Sequence, residues 1–192
     1  MKNRPPDEWG KIQVFTGDGK GKTTAALGTT IRALAKGKKV AIVYFDKGGT
    51  HYSEREFLDW LKDQKYPSGG EITFVATGLD RIDPETGRFR FGVLSEDRAE
   101  AERGLTAAAK IIQSGEYDLV VLDEISTTIS LGMLDDGPVV KLLKEKPKTL
   151  EVICTGRNAS PEIIEMADLV TEMKMIKHYY NRGLPAREGL DY

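Results

Sequence analysis

The chain has almost no cysteine: one residue, Cys154, in 192, set inside an apolar run. No disulfide can close within it, so the expectation is a reducing, cytoplasmic setting with Cys154 as a small buried hydrophobe. A basic excess is also missing. Lys and Arg number 28 against 30 Asp and Glu, a net charge of -2, and bulk electrostatics give no argument for a nucleic-acid partner. No apolar run approaches the roughly 20 residues of a membrane-spanning helix. Residues 1–10 are polar, hold two prolines and lack an apolar signal region. Histidine is scarce, with His51 and His178 alone, and a lone histidine is more often solvated than functional. No guanine-specificity motif of the Asn-Lys-x-Asp kind occurs; Asp46-Lys47-Gly48-Gly49 is a poor substitute.

What the chain does have is alternation. Apolar runs of strand length fall at residues 11–16, 40–45, 72–76, 117–122, 150–154 and 170–175. Helix-forming stretches lie between them, at 23–36, 53–65, 95–114, around Leu142-Leu143 and from Ser160-Pro161-Glu162. The runs are continuously apolar, as strands buried on both faces are. This predicts one α/β domain over 1–192, a mostly parallel sheet flanked by helices, with residues 1–10 as a flexible lead-in and 177–192 as a polar tail. Residues 77–91 make a long polar loop with three carboxylates and three arginines. A loop of that length is either a substrate-facing lid or a solvated excursion.

The first strand and helix are joined by Thr16-Gly17-Asp18-Gly19-Lys20-Gly21-Lys22-Thr23-Thr24. Glycines let backbone N–H groups turn inward around an anion, and the helix that follows aims its positive end at it. Gly21, Lys22 and Thr23 match the G-x-x-x-x-G-K-[ST] phosphate loop, with Thr16 where its first glycine would stand. In that arrangement Lys22 reaches terminal phosphates and the Thr23 hydroxyl ligates Mg²⁺ (or Mn²⁺). One hundred residues after Thr23, the apolar run 119–122 delivers Asp123-Glu124. A carboxylate there holds the metal from the opposite side. Arg157 is a further candidate phosphate donor, and Arg32 on the first helix is another, a surface arginine being the alternative. The residues thus point to an ATP·Mg²⁺ site in a P-loop NTPase (RecA-like) architecture.

Several blocks together resemble the ATP:corrinoid (cob(I)alamin) adenosyltransferases of the bacterial cobalamin-biosynthesis type. They are residues 15–26, Phe45-Asp46-Lys47-Gly48, Ala76-Thr77-Gly78, Val120-Val121-Leu122-Asp123-Glu124 and Thr155-Gly156-Arg157. The tail adds Lys177-His178, Gly183, Ala186 and Gly189-Leu190-Asp191-Tyr192. The resemblance implies transfer of the 5′-deoxyadenosyl group of ATP to Co(I) of a reduced corrinoid, with release of triphosphate. It implies catalytic roles for Lys20, Lys22 and Glu124 and a metal held by Thr23 and Glu124, with Asp123 as second choice. Nucleotide contacts would come from Gly17, Asp18, Gly19, Lys20, Gly21, Lys22, Thr23, Thr24, Arg32 and Arg157. It also implies a tail near the active site, a homodimer and a flavoprotein reductase as electron donor. Two departures lie on the corrinoid side. Leu79-Asp80-Arg81 stands where well-known members carry an aromatic pair that shields the cobalt, leaving Phe89 or Phe91 as substitutes, and barely ten residues precede the first strand. Another ATP-dependent enzyme, such as a small-molecule kinase, or a non-catalytic ATP- or corrinoid-binding protein, are the alternatives.

Overall fold

The computed structural model describes residues 9–65, 67–83, 85, 86, 88 and 90–192. Residues 1–8 of the lead-in, and Phe89 as a shield for the cobalt, lie outside the described residues.

Six strands form one sheet among the described residues: β1 (Ile12–Thr16), β2 (Lys39–Tyr44), β3 (Glu71–Ala76), β4 (Leu119–Asp123), β5 (Glu151–Thr155) and β6 (Leu169–Glu172). Every pairing is parallel, in the order β3-β2-β4-β5-β1-β6. The helices are α1 (Lys22–Leu34), α2 (Glu54–Lys62), α3 (Ser95–Ser114), α4 (Ile125–Ser130), α5 (Asp136–Lys144) and α6 (Pro161–Met166). A 3₁₀ turn follows at Tyr179–Arg182.

The apolar runs are continuous because both sheet faces are covered. Successive side chains of a strand point to opposite faces. Val40, Ile42 and Tyr44 therefore pack with Ala26 and Leu34 of α1 and Leu58 and Leu61 of α2. Ala41, Val43 and Phe45 pack on the other face, with Ala101, Ala108 and Ile112 of α3 and Val139 and Leu143 of α5. Gly104 lets α3 lie close, since a Cβ there would meet the Phe45 ring and Thr77 Oγ1 at 2.7 Å. Cys154 is fully buried, and burial pushes its thiol up to about 12. It behaves as the small hydrophobe its setting predicts.

Two features depart from the sequence reading. Helix α4 was not foreseen, because Ile-Ser-Thr-Thr-Ile-Ser has neither helical periodicity nor strong propensity. It is held by hydrogen bonds to Glu124 O from Thr128 N (3.0 Å) and Thr128 Oγ1 (2.9 Å). Strand β6 stops at Glu172 rather than Met175, because Met173 O turns to accept the Gly19 N–H at 2.6 Å. The sheet's second edge is thus stitched to the loop after β1.

Candidate active site

The order of strands sets the site. The loop after β1 and the acidic end of β4 are not neighbours, because β5 lies between them. The gap is spanned by Thr155 at the end of β5. Its Oγ1 donates to Asp123 Oδ1 at 2.7 Å and accepts the Glu124 N–H at 2.9 Å. Glu124 sits at φ +63°, a left-handed conformation uncommon outside glycine, which turns the chain from β4 into α4. Open parallel sheets bind ligands at the carboxyl ends of their strands. Here those ends surround a cavity of about 740 Å³.

One wall is the loop after β1. Gly17 and Gly21 take φ values of +95° and +114°. A Cβ on Gly17 would stand 2.5 Å from Met173 O, so only glycine fits there. Lys22 folds over the loop, its Nζ donating to Gly17 O at 2.7 Å and Gly19 O at 2.8 Å. Burial pulls its ammonium below the ordinary lysine range and Arg157 adds to this, while Glu124, Asp18 and Asp123 oppose it. A charge so weakly solvated is ready to exchange loop carbonyls for an anion.

Thr23, at the start of α1, donates from Oγ1 to Asp123 Oδ2 at 3.3 Å. Lys47, in the loop after β2, inserts its ammonium against both, 3.0 Å from Thr23 Oγ1 and 2.5 Å from Asp123 Oδ2. Burial works against the Lys47 charge, but Asp123 and Glu124 outweigh it and its pKa is raised. A hydroxyl and a carboxylate are the hard oxygen donors that Mg²⁺ prefers, and Lys47 shows that a cation is stable between them. Among the described residues no group of three or more His, Cys, Asp or Glu could hold a metal alone. Such a site suits an ion that brings phosphate oxygens with it.

A second wall is the tail. Lys20 Nζ donates to Tyr179 OH at 2.9 Å, to Leu190 O and to Asp191. Asp191 also accepts from Tyr179 OH and, at 3.0 Å, from both the backbone N–H and Nε of Arg187. The Lys20, Tyr179 and Arg187 donors hold its carboxyl well below the ordinary carboxylate range. Ser53 closes the ring, donating to Tyr192 O at 2.7 Å and accepting the Gly189 N–H at 3.0 Å.

A smaller cavity of about 290 Å³ adjoins the first, and Lys47, Tyr52, Glu124 and Arg157 border both. Leu79, Arg81 and Ile82 of the 77–91 loop line it. Arg81 donates to Asp46 at 2.7 Å and to Gly92 O at 2.9 Å, and Arg90 grips buried Asp97 with two bonds of 2.9 and 2.8 Å. The long loop is therefore pinned by its own arginines. Phe91 is 86% exposed.

Residues 8–192 match the ATP:corrinoid adenosyltransferase BtuR/CobO/CobP family. The chain belongs to that family. It is 38% identical over 188 residues to the corrinoid adenosyltransferase of Escherichia coli K12, covering 97% of this chain and 87% of that protein. A corrinoid adenosyltransferase of Sinorhizobium sp is also 38% identical, over 190 residues, with 97% and 82% covered. Corrinoid adenosyltransferase CobA of Salmonella typhimurium is 34% identical over 193 residues, with 97% and 87% covered.

Of the residues singled out in this family member's sequence, Asp18, Gly19, Lys20, Gly21, Lys22, Thr23, Thr24, Glu124 and Arg157 line the large cavity together. Gly17 and Asp123 stand just behind them, through the Lys22 and Thr23 contacts. Three placements bear on those expectations. Arg32 is exposed in the last turn of α1 and does not line the cavity. At 1.5 Å per residue it stands about 15 Å along the axis from Lys22. Lys20 lines the cavity with its ammonium engaged by the tail. Of the adjacent carboxylates it is Asp123 that meets Thr23, while Glu124 accepts from Thr127 Oγ1.

The sequence reading placed Lys47 and Thr155 in family-like blocks but gave neither of them, nor Ser53, a role of its own. Lys47 did lie in a polar loop after a strand, which was the available signal. Arg55 fixes that loop by donating to Gly49 O at 2.8 Å and to Lys47 O. No helix of the described residues is long and apolar enough to cross a membrane.

Proposed function

We propose that this protein transfers the 5′-deoxyadenosyl group of ATP to the Co(I) centre of a reduced corrinoid. The carrying observation is the cavity in which the glycine loop, Lys22, Thr23 and Asp123 converge. Its volume falls in the range of ligand-sized clefts, and its anion-directed wall suits a triphosphate.

The cobalt of the substrate is the nucleophile. Its electron pair forms the Co–C5′ bond as the C5′–O5′ bond breaks, and triphosphate leaves with the electrons of that bond. No side chain is needed as an activated nucleophile. The protein's tasks are to orient ATP and to stabilise charge growing on the leaving group. The loop amides left over once Met173 O has taken the Gly19 N–H, together with the start of α1, serve the phosphates, and Lys22 moves from loop carbonyls onto phosphate oxygens. Arg157 borders the cavity as a second cation. Thr23 with Asp123 or Glu124 would hold Mg²⁺ or Mn²⁺, which would supply further charge neutralisation. The smaller cavity, bordered by Leu79 and Arg81, is the side on which the corrinoid approaches.

The acceptor is of the cob(I)yrinic acid a,c-diamide class or its later products. A flavoprotein reductase supplies the electrons, and the working unit is a cytoplasmic homodimer. The test is incubation with ATP, Mg²⁺ and chemically reduced cobalamin. A light-sensitive Co–C product that Lys22→Ala fails to make supports the reading, whereas ADP and a phosphorylated acceptor would overturn it.

A further inference from the structure

The geometry points to Lys47 as an internal cation that keeps the metal position closed until a triphosphate arrives. This rests on the reading of Thr23 and Asp123 as the metal-facing pair. The Lys47 ammonium contacts both of those oxygens at once, at 3.0 and 2.5 Å. The Lys47 and Asp123 side chains are only 11% and 1% exposed, so water competes little for either. A metal ion entering alone must expel the ammonium and give up hydration for two protein oxygens. Mg²⁺ dehydrates reluctantly, so that exchange is unfavourable.

A triphosphate changes both halves of the exchange. Its oxygens complete the metal's ligands, and they offer the displaced ammonium a new partner. Lys47 lines the same cavity as Lys22 and Thr23, so the move is a swing of its side chain. The backbone beneath it stays fixed. The Lys47 N–H donates to Thr77 O at 2.9 Å, and Arg55 holds the Lys47 carbonyl. The ammonium also lies 5.6 Å from the centre of the Tyr44 ring and 5.5 Å from that of Tyr52, two faces that steady a cation during the swing. Metal and nucleotide then bind as a unit, and Lys47 ends beside the leaving group with its charge retained.

The experiment is Mn²⁺ titration of the full-length protein by electron paramagnetic resonance. The nucleotide-free wild type is expected to show no tight Mn²⁺. Lys47→Met is expected to bind one Mn²⁺ per chain without nucleotide, and Lys47→Arg to exclude it as the wild type does. Adding Asp123→Asn to Lys47→Met should remove the site. Tight Mn²⁺ on the nucleotide-free wild type, or none on a Lys47→Met protein that melts like wild type, would overturn the proposal. Should Lys47→Met fail to fold, the wild type decides alone. Tripolyphosphate should then tighten Mn²⁺ binding to the protein at least about tenfold, within the usual range of coupled sites. Equal binding with and without it would refute the gate. A parallel ATP titration separates the two readings: a wild type that does not bind ATP sinks the proposed function, whereas ATP binding with unchanged Mn²⁺ affinity sinks only Lys47.

Discussion

The two walls of the large cavity are built differently. The phosphate-loop wall is an outgrowth of the sheet. Asp123 and Thr155 behind it are 1% and 0% exposed, and Gly17 and Gly19 are packed against Met173 O. The tail wall is a docked strap. Ile176 is 84% exposed and Leu190 62%, so little apolar burial holds it. Its attachment runs through polar bonds that meet on Asp191 and Ser53. The loop wall is thus preorganised by the core, whereas the tail wall depends on a few exposed contacts, each of which is individually weak.

The largest expected effect comes from disarming the rigid wall. Lys22→Ala should lower turnover by about 100- to 1,000-fold, as loss of a charge-stabilising group does, with the melting temperature unchanged. Corrinoid adenosylation and a thermal melt of the same sample check it. Gly17→Ala should follow, since its Cβ would collide with Met173 O at a φ of +95°. Strain of that kind predicts about a 10- to 100-fold rise in the ATP dissociation constant, measurable by calorimetry.

The strap should be softer. Asp191→Asn is expected to weaken ATP by about 3- to 10-fold, as loss of one or two surface ion pairs does. Limited proteolysis of the tail should quicken. Wild-type rates for cleavage after Lys177 or Arg187 would show that the contacts do not hold it.

The smallest effect is one of pH. Lys20, Tyr179 and Arg187 depress the Asp191 pKa in the docked state. The undocked tail therefore binds the proton first. Docking is fully supported above the ordinary carboxylate value of about 3.9 and lost as pH falls through the lower, docked value. Protease resistance of the tail should be flat from about pH 5 to 7 and fall only in strong acid. In Asp191→Asn that acid limb should vanish.

The same contrast explains what the sequence could reveal. The cavity's glycine loop was legible because its residues are contiguous: glycines, lysine and threonine fall within nine residues. The parallel sheet was legible too, from its doubly apolar strands. Lys47 was not, because its partners Thr23 and Asp123 are 24 and 76 residues away. Thr155 matters only because β5 falls between β1 and β4, which is a fact of topology. That Asp123 meets Thr23 while Glu124, at a left-handed backbone, accepts from Thr127 was invisible in an Asp-Glu dipeptide. The pairing of Lys20 with Asp191 was equally hidden, because Asp191 lies 171 residues on.

The central claim is that the triphosphate departs whole. Phosphorus magnetic resonance of a reaction containing the protein, ATP, Mg²⁺ and chemically reduced cobalamin tests it directly. Inorganic triphosphate should accumulate in step with the light-sensitive Co–C product. ADP or orthophosphate as the initial product would contradict the account.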